Sequence, residues 1–198
     1  MSVLANPCAS QLLLIDPIPE CFQRLSEPLQ ARSKEQFARL STAADQAKVP
    51  RYFAVSGENG KQETWLSTPC SRTRQRVFRF DRKRAVWANE DLLKSMRAEQ
   101  REQLFICGFW LDDVVSAAAL EAPTFGFNTH VVIDLSPVCD HRYHRVRLDR
   151  LNQYTIAPVS LRNLLYEWMT KTEDDVNRSD LELLWKEQIA FESRVTSQ

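Results

Sequence analysis

The chain has 198 residues, 26 Lys and Arg balanced by 26 Asp and Glu, 43% apolar residues and 10% aromatic ones. That length suits one domain with a sizeable core, and the composition excludes a disordered or fibrous chain. A net charge of zero removes any global electrostatic argument for nucleic acid or an acidic membrane, leaving only local patches.

The N-terminal segment has no basic stretch followed by a long apolar run, and no apolar run approaches the roughly 18 residues that span a bilayer, so a cytoplasmic protein without membrane attachment is expected. Residues 11–16 (QLLLID) carry four consecutive apolar side chains, the mark of a strand covered on both faces. Residues 20–47 place Leu25, Leu29, Phe37, Leu40, Ala44 and Ala47 at helical spacing. A second strand spans 51–56, opened by Pro50 and closed by the turn residues GENG, and a third spans 77–81. The pattern then predicts a helix over 91–101, a strand over 103–108, an Ala-rich helix over 112–122, and strands over 130–135 and 154–158. Helices over 160–170 and 180–193 close the chain, the latter through Leu181, Leu184, Trp185 and Ile189. This alternation predicts one α/β domain over 1–198, a parallel sheet with helices on both faces. Ligands of such sheets sit beyond the carboxyl ends of the strands. Asp16, the segment after Ser56, Asp81, the segment after Gly108 and the chain from Leu135 onward are therefore the positions where chemistry is expected.

Several features compete for a role. The four glycines fit neither common phosphate-cradling spacing, and the five scattered cysteines contain no C-x-x-C pair, which reads as reduced thiols. Residues 72–84 hold seven cations (Arg72, Arg74, Arg76, Arg79, Arg82, Lys83, Arg84) against Asp81 alone, a patch better suited to a solvated face or an acidic partner than to nucleic acid. Asp112 and Asp113 stand where a helix begins and read first as N-caps. Cys139, Asp140, His141 and His144 offer metal-ligand types, but interleaved arginines disfavour a dication, and Asp140 reads as a helix cap; no metal and no cofactor are expected. The acidic tail, with Trp168 and Trp185 as anchors, reads as core, with a subunit interface as the other reading.

At the strand ends the chain resembles the isochorismatase-like, or cysteine hydrolase, superfamily. LLLID resembles the family's first strand, VPRYF its second, WANEDLLKSMRAEQREQ the lead into its nucleophile strand, QLFICGFWLDDVVSAAALEA the strand–turn–helix that carries the nucleophile, and HVVIDLSP the strand after it. The match covers about 10–158, with 160–195 as a helical extension. The resemblance implies a three-layer α/β/α fold with a six-stranded, mostly parallel sheet in Rossmann-type order, and self-association as a homodimer. It also implies three catalytic positions. The acid ending the first strand is Asp16. The lysine position, counted from Val86-Trp87, falls on Asp81, while a shift of two places brings in Lys83. The cysteine position, six residues after Gly108, is Val114. Metal-binding amidases of the superfamily carry histidines after the second strand, where this chain has SGENGKQ.

Cysteine hydrolysis needs a thiolate with a nearby cation, and Val114 has no lone pair to offer. The expectation is a degenerate member that lost the Lys and Cys of the triad and binds a small-molecule ligand or a partner protein, with Phe109, Trp110, Asp113 and Trp87 lining the site. The alternative is an active hydrolase of isochorismate-type enol ethers or small amides that uses Asp16 as general acid or base.

Overall fold

The computed structural model describes residues 4–57 and 76–196. Six strands, β1 Ser10–Ile15, β2 Arg51–Ser56, β3 Arg76–Phe80, β4 Gln103–Gly108, β5 Asn128–Val132 and β6 Ala157–Val159, form one all-parallel sheet in the order β3-β2-β1-β4-β5-β6. The helices are α1 Pro19–Phe22, α2 Glu27–Gln46, α3 Glu90–Ala98, α4 Ser116–Glu121, α5 His144–Gln153, α6 Leu161–Lys171 and α7 Asp175–Thr196. Among the described residues no helix is long and apolar enough to cross a membrane.

Alternation along β1 sends Leu12 and Leu14 to one face of the sheet and Leu13 and Ile15 to the other. Leu12 and Leu14 pack with Phe53 and Phe105 against Phe37 and Leu40 of α2, Trp168 of α6 and Leu181 of α7. Leu13 and Ile15 pack with Tyr52 and Ile106 against Leu92 and Met96 of α3, Ala119 of α4 and Leu151 of α5. This makes three layers, as the sequence predicts. The chain leaves β1 toward the first face and leaves β4 toward the second, so the crevice typical of such sheets opens between the ends of these adjacent strands. There Ile15 lies opposite both Ala54 and Gly108. Gly108 has φ +131°, and a Cβ on it would stand 2.0 Å from the Ile15 carbonyl oxygen, so only glycine lets the two strand ends meet.

Two predicted strands differ in extent, and one helix, α5, adds to the predicted elements. The fifth strand stops at Val132, and Ile133–Leu135 form a tight turn that aims the Asp134 carboxylate at Leu161 N, which donates to both oxygens at 2.9 and 3.0 Å and so caps α6. The sixth strand is confined to Ala157–Val159, because Tyr154 to Ile156 fold back on α5 through backbone bonds to Arg150 and Leu151. Residues 144–153 form α5, whose many charges mask a narrow apolar stripe of Leu148 and Leu151. The tail belongs to the core here: Trp168 is fully buried and its indole N–H donates to Ser10 Oγ at 3.2 Å, while Gln188 of α7 accepts from Arg39 of α2 at 2.6 Å. Trp185 is half-buried against Tyr166.

Candidate functional site

At the end of β1, Asp16 takes φ +49°, a left-handed turn that aspartate tolerates better than most residues. Its backbone N–H still bonds Ala54 O, at 2.8 Å, and its fully buried carboxylate reaches across to the end of β2. Asp16 Oδ1 accepts from Ser56 N at 2.6 Å, and Oδ2 accepts from Ser56 Oγ at 2.9 Å. The third donor is Arg82, just beyond β3, whose Nη2 lies 2.7 Å from Oδ2 while its Nε donates to Ser56 Oγ at 3.1 Å. Every hydrogen bond here is charge-assisted or feeds one that is, which suits a carboxylate removed from water. Partial burial works against the Arg82 charge, but the hydrogen bond and charge of Asp16 outweigh it and raise its pKa.

The expectation of Asp81 in the cation's place is thereby corrected. Asp81 is exposed, on the wall of a cavity of about 440 Å³ that Ser56 and Arg82 also line, and its carboxylate accepts not from Asp16's neighbours but from Lys83 N at 2.9 Å, within a short turn closed by Arg84 N to Asp81 O. Lys83 does not meet Asp16 either. The residue between them does: Arg82 bonds both Asp16, at the end of β1, and Ser56, at the end of β2. A balancing charge is present as a guanidinium.

After Gly108 the chain passes through a cis Phe109–Trp110 peptide and a wide turn, Leu111–Val115, into α4. Asp113 sits in that turn with its carboxylate 3.7 Å from Arg82 Nη1, exposed, and Val114 is half-buried beside it. A cleft of about 430 Å³ is lined by Arg82, Lys83, Arg84, Asp113, Val114 and, from α5, Arg150. The structure thus brings Asp16, Asp113 and Val114 together around Arg82. Other expected liners lie elsewhere. Phe109 is fully buried on the α2 face, packed against Phe22 and stacked on Phe37. Trp110 belongs to that same cluster. Trp87 is core on the opposite face, donating to Ala118 O at 2.9 Å and packed on Phe125 and Phe127.

Ser56 and Arg82 were missed as partners of Asp16. Their only sequence signals were a polar residue closing a strand and a place inside the cationic run. Of that run, Arg72 and Arg74 lie outside the described residues, as do residues 58–62 of the SGENGKQ segment. Asp140 does cap the turn His141–Tyr143 and forms a salt bridge with Arg142. Among the described residues no three His, Cys, Asp or Glu side chains cluster as a metal would require.

Three of the described thiols are held toward the protonated, non-nucleophilic form. Burial, with help from the Asp16 charge, pushes the Cys21 thiol up to about 11. Complete burial pushes Cys107 higher still. Partial burial and the Asp112 charge raise Cys139.

The family described as isochorismatase domain matches residues 10–163. No curated protein sequence matches the chain. Among solved structures, the YcaC gene product of Escherichia coli, described as an octameric hydrolase of unknown specificity, is 19% identical with a TM-score of 0.79 over 98% of each chain. The MAR1 ribonuclease of Caenorhabditis elegans is 16% identical with a TM-score of 0.71 over 92% of each chain. The nicotinamidase PncA of Bacillus subtilis is 17% identical with a TM-score of 0.64, over 77% of this chain and 99% of its own.

Proposed function

The chain belongs to the isochorismatase family, and from that premise we propose that it is a non-hydrolysing member whose strand-end cleft binds a small acidic ligand. The observation that carries this reading is the enclosure of Asp16: both carboxylate oxygens are engaged by Ser56 and Arg82, and the residue is fully buried. Three donors fill three of the carboxylate's roughly four acceptor sites, which ties it to the ends of β2 and β3 rather than to a substrate proton, and the position of the family nucleophile holds Val114. Arg82, Lys83, Arg84 and Arg150 outnumber Asp113 and Glu121 along the cleft, which supports an anionic ligand.

Isochorismate and a panel of small amides should show no turnover above background. Turnover that Asp16→Asn abolishes, with the fold intact, would instead establish the enol-ether or amide hydrolase. Introducing the missing sulfur by Val114→Cys should give a thiol beside Arg82 that iodoacetamide modifies faster than Cys139. Equal rates would mean that position 114 does not face the cleft. We extend the reading to a single domain that self-associates in solution, which light scattering on the full chain tests.

One observation favours a second reading. RNA carries its own nucleophile: its 2′-hydroxyl can attack the adjacent phosphorus, form a 2′,3′-cyclic phosphate and expel the 5′-oxygen, with no protein nucleophile required. A cationic cleft with Arg82 facing the phosphate and Asp113 nearby suits that step, and a relative is described as a ribonuclease. Cleavage of single-stranded RNA but not of matched DNA, lost in Arg82→Ala, would establish it. Intact RNA removes it.

A further inference from the structure

On the α2 side of the crevice, away from Arg82, two adjoining cavities of about 320 and 290 Å³ share Leu25, Leu29, Val138 and His141. Their walls come from the segment after β1, the turn after β4 and the segment after β5, so the groove lies over the point where the strand order reverses. Two residues of its walls carry buried N–H donors that no protein group in the described residues accepts from: Gln36 Nε2 on α2, a residue 2% exposed at the larger cavity, and Trp110 Nε1, a residue 3% exposed at the smaller one. A buried donor left unpaired is costly, and two at one groove call for an acceptor entering from outside the fold.

The charges around the groove point to the same kind of acceptor. Arg24 stacks over the Trp110 ring at 4.9 Å, and among the described residues its Nη2 reaches the Cys139 sulfur, at 3.6 Å, and no carboxylate. Arg32 lines the other cavity, stacks on Phe191 at 5.8 Å and has no carboxylate within ion-pair distance among the described residues. His141 and His144 add two more nitrogen-bearing side chains. The one carboxylate at the wall, Asp134, spends both oxygens on Leu161 N. Between these groups the surface is apolar, through Leu25, Leu29 and Val138.

We infer that this groove binds an organic carboxylate with an apolar body, its oxygens accepting from Gln36 and Trp110 beside Arg24 and Arg32 and its body lying across Leu25, Leu29 and Val138. The combined space suits a ligand of ordinary metabolite size. The site lies on the α2 side of the sheet, whereas the Arg82 cleft is walled by α4 and α5 on the other.

The test is a titration of the full ¹⁵N-labelled chain with 4-phenylbutanoate and with its neutral amide, followed by NMR. The Trp110 indole N–H is assigned with Trp110→Phe and the Gln36 side-chain amide with Gln36→Leu. Both resonances should move saturably with one dissociation constant, at least tenfold tighter for the carboxylate than for the amide. Arg32→Ala should weaken binding about tenfold or more, whereas Arg82→Ala should leave it unchanged. Gln36→Leu should abolish binding while keeping or raising the melting temperature, since it removes an unpaired buried donor. Absence of saturable movement up to about 5 mM probe, equal affinity for the amide, or undiminished binding in Gln36→Leu overturns the inference. Loss of binding in Arg82→Ala would place the ligand in the other cleft.

Discussion

The Arg82 guanidinium lies 2.7 Å from the Asp16 carboxylate across 66 positions of sequence, and the two partners are unequally exposed: Asp16 is fully buried, whereas the Arg82 side chain is 39% exposed. That asymmetry decides what each side chain costs to remove.

Arg82→Ala leaves a buried carboxylate without its cation, while Asp16→Asn leaves an arginine that can turn to water. Buried pairs broken this way lose several kcal/mol, and the exposure of Arg82 reduces that to about 2 kcal/mol. Asp16→Asn, whose amide oxygen still accepts from Ser56 N, should cost about half as much. Urea unfolding of the two variants gives the order, and a larger loss for Asp16→Asn would contradict it.

Gly108→Ala should be among the most damaging substitutions. The added methyl would meet the Ile15 carbonyl at 2.0 Å with the backbone held at φ +131°, so β1 and β4 must part at the crevice. A loss of about 3 kcal/mol or more is expected, read from the urea midpoint or from failure to accumulate soluble protein.

Burial raises the Asp134 carboxyl to about 6, against the two bonds from Leu161 N that favour its charge. In the unfolded chain it titrates near 3.8. Between these values the folded protein holds a proton that the unfolded chain does not, so this group's stabilising contribution is complete below the unfolded value and is lost as pH rises through about 6. Asp134→Asn should flatten that part of the stability–pH curve. Thermal melts from pH 4 to 7 on both proteins check it; parallel curves would mean that Asp134 titrates normally.

Two tryptophans of the tail should behave differently. Trp168 is wholly buried and bonded to Ser10, so Trp168→Ala should cost about 3–5 kcal/mol. Trp185, half-buried on the rim of α7, should cost about 1 kcal/mol. Similar losses would mean that Trp185 is covered in solution, as a subunit contact would cover it.

Much of the architecture was written in short-range pattern. Four consecutive apolar residues in β1 require helices on both faces, and Gly108 marks the end of β4. The site was legible only in part. Asp16 and the turn holding Asp113 and Val114 could be placed from strand ends, whereas Asp81, Arg82 and Lys83 are adjacent and equally polar, so no pattern separates them. Phe109, Trp110 and Trp87 were expected to line one pocket, but Phe109 and Trp110 enter the α2 layer and Trp87 the opposite one, because each aromatic faces whichever layer its own stretch of backbone delivers it to.

Sequence by itself determined the alternation of strands and helices, the two-sided burial of the central strands and the absence of a nucleophile at position 114, because periodicity and residue chemistry are local properties. Only the tertiary structure decided that Arg82 and Ser56 enclose Asp16, and that Gln36 and Trp110 share a groove. Those outcomes depend on where each strand end releases the chain in space, and the direction of one turn there selects which of three neighbouring side chains meets a partner 66 residues away.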